Sequence, residues 1–284
     1  MRSDSRCPPR LRLGHSPDPD DAFMFYPLSS GNLDTEGIEF VQVLEDIESL
    51  NRLALEGRIE ITAASVHAYG HLAERYAILS AGGSFGDGYG PLVVSRSPLS
   101  PDDLTRKVVA VPGTLTSAYL ALCLHSGDFE HRVVPFDRIP EQVLAGTVDA
   151  GLLIHEGQLT YAGSGLHRVL DLGEWWRGET GLPLPLGVNV IRKDLGEECC
   201  RQVADLLRRA VEYALSHREE ALDYARRFGR GLSRELTDQF VGMYVNDLTR
   251  DAGTRGRKAI AEFLLRGHEA GLLPNRVVPE FVGG

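Results

Sequence analysis

The chain has no apolar run close to the ~20 residues that a membrane-spanning helix needs, and its first ten residues lack the apolar core and cleavage site of a secretory signal. Both absences predict a cytoplasmic protein with no membrane span. Basic residues are in the minority, 30 Lys and Arg against 40 Asp and Glu, for a net charge of −10. Because that charge repels polyphosphates and anionic lipid, we exclude nucleic acid as the main partner. A small anionic organic substrate remains compatible, since backbone N–H groups and helix N-termini hold anions without a basic patch.

Cysteine is scarce, and the four residues, Cys7, Cys123 and the adjacent Cys199 and Cys200, show no CxxC spacing. This pattern provides neither a disulfide framework nor a zinc-binding motif, and it predicts reduced thiols. A Walker loop, a GxGxxG fingerprint, a GxSxG elbow and a haem motif are missing as well. The sequence therefore implies no cofactor, and it contains no feature that indicates an oligomeric state.

What the chain does contain is an alternation of short apolar runs with helical patterns, within 284 residues of 43% hydrophobic content. This alternation is typical of βα units and predicts an α/β protein with a mostly parallel sheet. Extended segments near 91–95 and 186–193 are predicted to carry the chain from one lobe to the other. We therefore predict a large discontinuous lobe over 1–94 and 193–284, a small lobe over 95–192, and hinge closure around a central cleft.

Polar residues follow several predicted strands, at the edge of the sheet where α/β proteins bind ligands. They are Ser16, Ser65, the segment 113–117 and His155. In the segment, Gly113 lets the backbone approach a ligand, and the hydroxyl residues Thr116 and Ser117 open a helix, which is chemistry suited to an anion. The alternative is that Thr116 only caps the helix, and the residues alone leave the two interpretations equally weighted.

His155 comes directly after the buried strand predicted over 150–154, which would deliver its imidazole to the edge of the cleft. With an ordinary pKa near ~6.5, much of it would be neutral at cytoplasmic pH and able to act as a general base. The alternative is a structural histidine that is hydrogen-bonded at the end of a strand. Glu156 would face the other way along that strand, so we expect it to have a supporting role at most.

Two groups of residues suggest metal binding at first sight. Asp18, Asp20 and Asp21 form an acidic group, but aspartates before a helix are ordinary capping residues and no further ligand stands at a suitable spacing. His67 and His71 are four residues apart, which suits zinc, but they lack a nearby third ligand. A solvated helix face is the expected role of this histidine pair.

The sequence Gly-His-Ser-Pro-Asp-Pro-Asp-Asp-Ala-Phe occupies residues 14–23, and further characteristic segments follow at 45–52, 90–94, 110–113, 150–156, 171–176 and 181–187. Together they resemble the futalosine-route menaquinone family that includes 1,4-dihydroxy-6-naphthoate synthase. The resemblance spans nearly the whole chain and keeps the order of the family's motifs.

This resemblance implies a two-lobed fold like that of type II periplasmic binding proteins. It also implies conversion of cyclic dehypoxanthine futalosine to 1,4-dihydroxy-6-naphthoate with release of a three-carbon dihydroxyketone, by a lyase without metal or organic cofactor. His155 matches the proposed general base of the family. Asn51, Ser65, Thr116 and Ser117 match positions that surround the bound, carboxylate-bearing ligand.

The chain departs from the family's familiar residues at Asp18, Asp20, Ala22 and Ala63, all near the presumed cleft. Two alternatives stay open beside the synthase. One is chorismate dehydratase of the same pathway, against which the Ile-His-Glu motif at His155 argues. The other is a non-catalytic solute-binding protein, against which the missing secretory signal argues.

Overall fold

The computed structural model describes residues 7–283. Within them the strands are β1 (Arg10–His15), β2 (Glu39–Leu44), β3 (Ile61–Ser65), β4 (Tyr76–Leu79), β5 (Ser84–Gly86), β6 (Leu92–Ser95), β7 (Val109–Val111), β8 (His131–Val133), β9 (Ala150–Leu153), β10 (His167–Asp171), β11 (Leu184–Arg192) and β12 (Phe281–Val282). The helices are α1 (Pro19–Ser30), α2 (Ile47–Leu55), α3 (Val66–Leu72), α4 (Ser117–Ser126), α5 (Ile139–Leu144), α6 (Gly157–Thr160), α7 (Leu172–Thr180), α8 (Glu197–Ser216), α9 (Arg218–Ala225), α10 (Arg234–Tyr244), α11 (Asp247–Arg250) and α12 (Gly253–Glu269). In this part of the chain, no helix is both long and apolar enough to cross a membrane.

The strands form two sheets. The first has the order β12-β4-β11-β3-β1-β2, with β5 also paired to β11, and the second has the order β10-β6-β9-β7-β8. The long strand β11 returns the chain to the first sheet, where it pairs with β3 and β4. The lobe and hinge boundaries given above stay a prediction, and we refer below to the first-sheet side and the second-sheet side of the molecule.

In each sheet one strand runs against all the others, so the prediction of a mostly parallel sheet is confirmed except for β11 in the first sheet and β6 in the second. β1 is parallel to β2 and β3, and β7 is parallel to β8 and β9, as the βα alternation predicts. However, β11 runs antiparallel to β3, β4 and β5, and β6 runs antiparallel to β9 and β10. The antiparallel strands follow crossings between the sheets, and an alternation of elements does not show strand direction at such crossings.

Local signals place the first elements of the site where the sequence predicts them. β1 buries Leu11 and Leu13. α1 begins after Asp18, with Pro19 at its first position, where the missing N–H and fixed φ of proline suit a helix start. The helix ends at Gly31, which adopts a left-handed φ of 74° that glycine tolerates without a steric penalty. The strand and the helix start together fix the turn at residues 16–18.

The alternation pattern does not indicate β10 or α7. The Asp171 side chain begins α7 by accepting hydrogen bonds from the N–H groups of Gly173 and Glu174. α7 then buries Trp176, whose ring lies 5.2 Å from that of Phe263 and whose indole N–H donates to a backbone carbonyl. This contact joins α7 to the C-terminal helix α12.

Cys7 and Cys199 form a disulfide, with their Cα atoms 4.7 Å apart, within the usual range for a disulfide. The prediction of four reduced thiols is therefore wrong for these two residues, which are 192 positions apart in the chain. Sequence spacing could not reveal the pairing, because it depends on where the segment before β1 meets the first turn of α8. Cys123 and Cys200 are free thiols, as expected.

Candidate active site

A cleft of about 720 Å³ collects the polar residues that follow β1, β3, β7 and β9. This volume includes the part of the cleft that is open to solvent. Its lining includes Ser16, Asp18, Asp20, Asp21, Ser65, Thr116, Ser117, Ala118, His155, Gln158 and Tyr244, together with apolar residues from β11 and α10. The described residues that line it include no lysine or arginine. Any anionic group in the cleft must therefore be stabilised by N–H groups, hydroxyls or the imidazole.

His155 and Asp18 form the central polar contact of the cleft. His155 Nδ1 lies 3.0 Å from Asp18 Oδ2, and the Asp18 side chain is only 2% exposed. Because a carboxylate only accepts hydrogen bonds, Nδ1 carries the proton of this contact. The other ring nitrogen, Nε2, is buried without a hydrogen-bond partner among the described residues. It is therefore the nitrogen that can act on a ligand.

The charge of His155 differs from the expectation based on an ordinary histidine. Burial lowers its pKa, but the Asp18 carboxylate, with smaller contributions from Asp20 and Glu156, raises it to about 9. The same contact keeps the pKa of Asp18 below its usual value, although burial alone would raise it. In the free protein at neutral pH the pair is an imidazolium beside a carboxylate, so the prediction of a largely neutral His155 is wrong.

Asp20 is buried and Asp21 is half-buried beside this pair. The Asp21 carboxylate accepts a hydrogen bond of 2.8 Å from the Ser16 N–H, whereas Asp20 Oδ1 has no partner among the described residues. Burial and the neighbouring carboxylates raise the pKa of Asp20 well above its usual value and that of Asp21 to about 7. Partial protonation of these acids limits the negative charge that an anionic ligand would meet.

Arg230 binds two carboxylates of the site, those of Asp18 and Glu156. Its guanidinium donates to Asp18 Oδ1 at 2.9 Å and to both Glu156 oxygens at 2.8 and 3.0 Å. It also lies 4.6 Å from the centre of the Phe136 ring, which in turn packs against His155. Glu156 therefore takes part in the site through Arg230, which is a larger role than its position in the sequence suggests.

The hydroxyls of Thr116 and Ser117 are engaged within the protein. Thr116 Oγ1 accepts from the Tyr119 N–H at 3.1 Å, so the capping interpretation of Thr116 is confirmed. Ser117 Oγ donates to the Leu186 carbonyl at 2.6 Å and accepts from the His67 N–H. Both residues line the cleft, but the Thr116 N–H also donates to the Gly113 carbonyl. The group that remains for a ligand is the backbone N–H of Ser117 at the start of α4.

Asn51 does not line the cleft, although Ser65 does. The Asn51 amide accepts from the Ser65 N–H at 2.9 Å and donates to the Ser65 hydroxyl at 3.1 Å. Asn51 is fully buried. It holds Ser65 in place at the end of β3, so any effect of Asn51 on a ligand passes through Ser65.

Two further expectations are corrected by the contacts. A Cβ at Gly113 would meet the Glu48 side chain at 2.3 Å. The glycine therefore makes room for Glu48 and not for a ligand, and the Glu48 carboxylate accepts a hydrogen bond from the Leu115 N–H. His67 is buried and does not lie on a solvated helix face, and burial lowers its pKa to about 4. Among the described residues, no three His, Cys, Asp or Glu side chains are grouped to hold a metal ion.

Sequence reasoning missed the roles of Asp18 and Arg230. Asp18 stands at a helix N-cap position, but its side chain makes no capping hydrogen bond and turns to His155 instead. Arg230 is 212 residues away from Asp18 in the chain. The sequence offered one signal for Asp18, its departure from the family's familiar residue, and no signal for Arg230.

Comparisons with known proteins agree over nearly the full length of the chain. A family model described as menaquinone biosynthesis matches residues 11–269. A 1,4-dihydroxy-6-naphtoate synthase from Thermus thermophilus is 46% identical over 272 residues, which cover 96% of this chain and 99% of that protein. A protein of the same name from Streptomyces coelicolor is 36% identical over 271 residues, with coverages of 93% and 95%.

Solved structures show the fold. A protein from Archaeoglobus fulgidus has a TM-score of 0.89 and 46% identity, covering 96% of this chain and 100% of its own. The alkanesulfonate-binding protein of Xanthomonas axonopodis pv. citri, solved with bound MOPS, has a TM-score of 0.73 at 15% identity, with coverages of 96% and 97%. The predicted α/β fold, like that of periplasmic binding proteins, is therefore confirmed.

Proposed function

The chain belongs to the menaquinone biosynthesis family, and from that premise we propose that it is a 1,4-dihydroxy-6-naphthoate synthase. It converts cyclic dehypoxanthine futalosine to 1,4-dihydroxy-6-naphthoate and releases a three-carbon dihydroxyketone. Two relatives that carry this name match nearly all of the chain and nearly all of their own length. The proposed reaction is a carbon–carbon cleavage without a metal or organic cofactor. Formation of the aromatic ring contributes driving force, so the protein mainly orients the substrate and moves a proton.

The observation that carries the proposed mechanism is the His155–Asp18 pair. Asp18 fixes the tautomer and the orientation of the ring and leaves Nε2 without a protein partner in a residue that lines the cleft. Once His155 has lost its extra proton, Nε2 accepts a proton from a carbon next to a carbonyl-like centre of the substrate. Asp18 then stabilises the imidazolium that forms. The pair thus provides general base catalysis at the edge of the cleft.

We also propose a place for the substrate carboxylate at the start of α4, close to Ser65. The first N–H groups of a helix have no partner within the helix, and Ser117 and Ala118 at this helix start line the cleft. The positive end of the helix dipole favours an anion there. This placement needs no basic side chain, in agreement with the lining of the cleft.

Two substitutions at Ser117 separate its N–H from its hydroxyl. Ser117→Ala removes only the hydroxyl, whereas Ser117→Pro removes both the hydroxyl and the N–H at a helix position that favours proline. Thr116, with φ −74° and ψ 148°, already has the conformation required before a proline. We expect the proline variant to bind the substrate about tenfold more weakly than the alanine variant, as measured by calorimetric titration. Equal affinities of the two variants would place the carboxylate elsewhere.

We further propose that the two sides of the cleft close on the substrate by hinge motion at the crossings near 91–95 and 186–193. Both crossings are extended strands, β6 and β11, so they can bend while each keeps its place in its own sheet. The backbone groups on either side of the cleft would then enclose the substrate from opposite directions.

The assay that tests the proposed function uses two substrates. The purified protein is incubated separately with cyclic dehypoxanthine futalosine and with chorismate, and the product is followed by naphthoate absorbance and mass spectrometry. We expect naphthoate from the first incubation and no change in the second. Dehydration of chorismate would show that the protein is the chorismate dehydratase of the same pathway. Binding of either compound without turnover would indicate a solute-binding protein.

A further inference from the structure

The residues that meet at the mouth of the cleft come from two different sides of the molecule. Asp18 follows β1 of the first sheet, whereas His155 and Glu156 follow β9 of the second sheet. Arg230 lies in the turn between α9 and α10, helices that share an apolar cluster with α1. Arg230 therefore belongs to the first-sheet side, and its contacts with Glu156 and Phe136 cross the cleft.

The local backbone indicates that this arrangement is specific. Arg230 has a φ of 45°, in the left-handed region that residues other than glycine, asparagine, aspartate and histidine rarely adopt, and His155 has a φ of 54° in the same region. Both residues contact the Asp18 carboxylate, and an uncommon backbone conformation such as that of Arg230 persists where the surrounding contacts hold it. For Arg230 those contacts are charge-assisted hydrogen bonds to two carboxylates and a position over an aromatic ring.

We propose that Arg230 is a positioning residue that latches the mouth of the cleft and thereby brings Asp18 to His155. One guanidinium nitrogen binds Asp18 on its own side and Glu156 on the opposite side, so the latch and the His155–Asp18 contact form together. When the latch opens, Glu156 and His155 move away from Arg230 and Asp18 as a unit. His155 then loses the carboxylate that fixes its tautomer.

The inference rests on the proposed function only for the catalytic use of His155, and it can be tested without substrate. Arg230→Met removes the charge and the hydrogen bonds while keeping much of the side-chain length. Arg234→Met is the matched control, because Arg234 binds Glu219 and Asp223 of α9, both on the first-sheet side. Arg230→Lys keeps the charge but cannot bind both carboxylates with planar geometry, and we expect it to be intermediate.

The first readout is the size of the substrate-free protein by X-ray scattering. A compact chain of 284 residues has a radius of gyration of about 19 Å. We expect the wild type and Arg234→Met to lie near this value and Arg230→Met to be measurably larger. An unchanged radius in Arg230→Met overturns the latch.

The second readout is the titration of His155 by NMR, with its resonance assigned by its loss in His155→Asn. The charged groups that face His155 are Asp18, Asp20 and Asp21 at the start of α1, Glu156 beside it, and Arg230 itself. If Arg230 only supplied positive charge, its removal would raise the pKa of His155. Because the latch brings Asp18 to the ring, we expect the pKa to fall from about 9 by at least one unit. A pKa that stays the same or rises overturns the proposal.

The third readout separates binding from chemistry. When the binding-competent state is only partly populated, the apparent affinity falls by that fraction, while saturating substrate restores the closed state. We expect Arg230→Met to raise KM about tenfold and to keep kcat within about threefold of the wild type. A large fall in kcat with unchanged KM would instead assign Arg230 to the chemical step. If the protein turned over neither compound, the proposed function would fail, but the scattering and NMR results would still decide the role of Arg230.

Discussion

His155→Asn is expected to lower kcat by at least ~10²-fold, the usual contribution of a positioned general base. Asparagine keeps a hydrogen-bonding side chain but has no basic nitrogen. It also tolerates the left-handed φ of 54° at this position better than most residues, so the variant should fold. Its melting temperature should fall moderately, because Asp18 loses one charged partner and keeps the other, Arg230. Substrate affinity should stay within a small factor, and the deciding measurement is kcat beside the melting curve.

The pH dependence provides the control for this experiment. Because the pKa of His155 is raised to about 9, log kcat/KM of the wild type should rise with pH and level off near pH 9. The residual activity of His155→Asn should lack this dependence, and Asp18→Asn should move it to lower pH by removing the carboxylate. A wild-type rate that falls through pH 9 would make His155 a general acid, and near-normal turnover in His155→Asn would rule out either role.

Cys7→Ser is expected to cause the largest loss of stability. The Cys7–Cys199 disulfide closes a loop over a sequence separation of 192 residues, and the chain-entropy model assigns about 5 kcal/mol to a loop of that length. At about 2–4 °C per kcal/mol, the melting temperature should fall by on the order of 10 °C. Addition of dithiothreitol to the wild type should produce a similar fall, measured by thermal denaturation.

Cys123→Ser is the matched control, because Cys123 is a partly buried cysteine outside the disulfide. Its melting temperature should change little under oxidising conditions and should fall with dithiothreitol as the wild type does. Cys7→Ser should be insensitive to the reductant. Equal melting temperatures of Cys7→Ser and the wild type under oxidising conditions would show that the disulfide does not contribute to stability.

The elements of the site could be predicted from sequence because their signals are local. Apolar runs ended by Ser16, Ser65 and His155 mark strands whose carboxyl ends meet at the cleft, and Thr116 carries a recognisable capping signal. The direction of β11 could not be predicted in this way, because it depends on which sheet the chain rejoins after a crossing.

Electrostatic partners were the least predictable part of the site. The pKa of an isolated histidine says nothing about Asp18, which approaches His155 only through the packing of two sheets. Arg230 lies in an exposed turn whose sequence resembles an ordinary loop, and Cys199 faces Cys7 only once α8 has packed beside β1. Such pairs depend on contacts between distant segments, so a single sequence contains no periodicity that would reveal them.

If the two sides of the cleft close by the proposed hinge motion, the contact between His155 and Asp18 also makes closure a proton-binding event. With the cleft open, the imidazole is separated from its carboxylate and titrates closer to the ordinary value of 6.5, and with the cleft closed it titrates at about 9. Between these two values the protein takes up a proton as it closes. By thermodynamic linkage, any ligand that stabilises the closed form binds more weakly as the pH rises through this window, even if the ligand itself carries no titratable group.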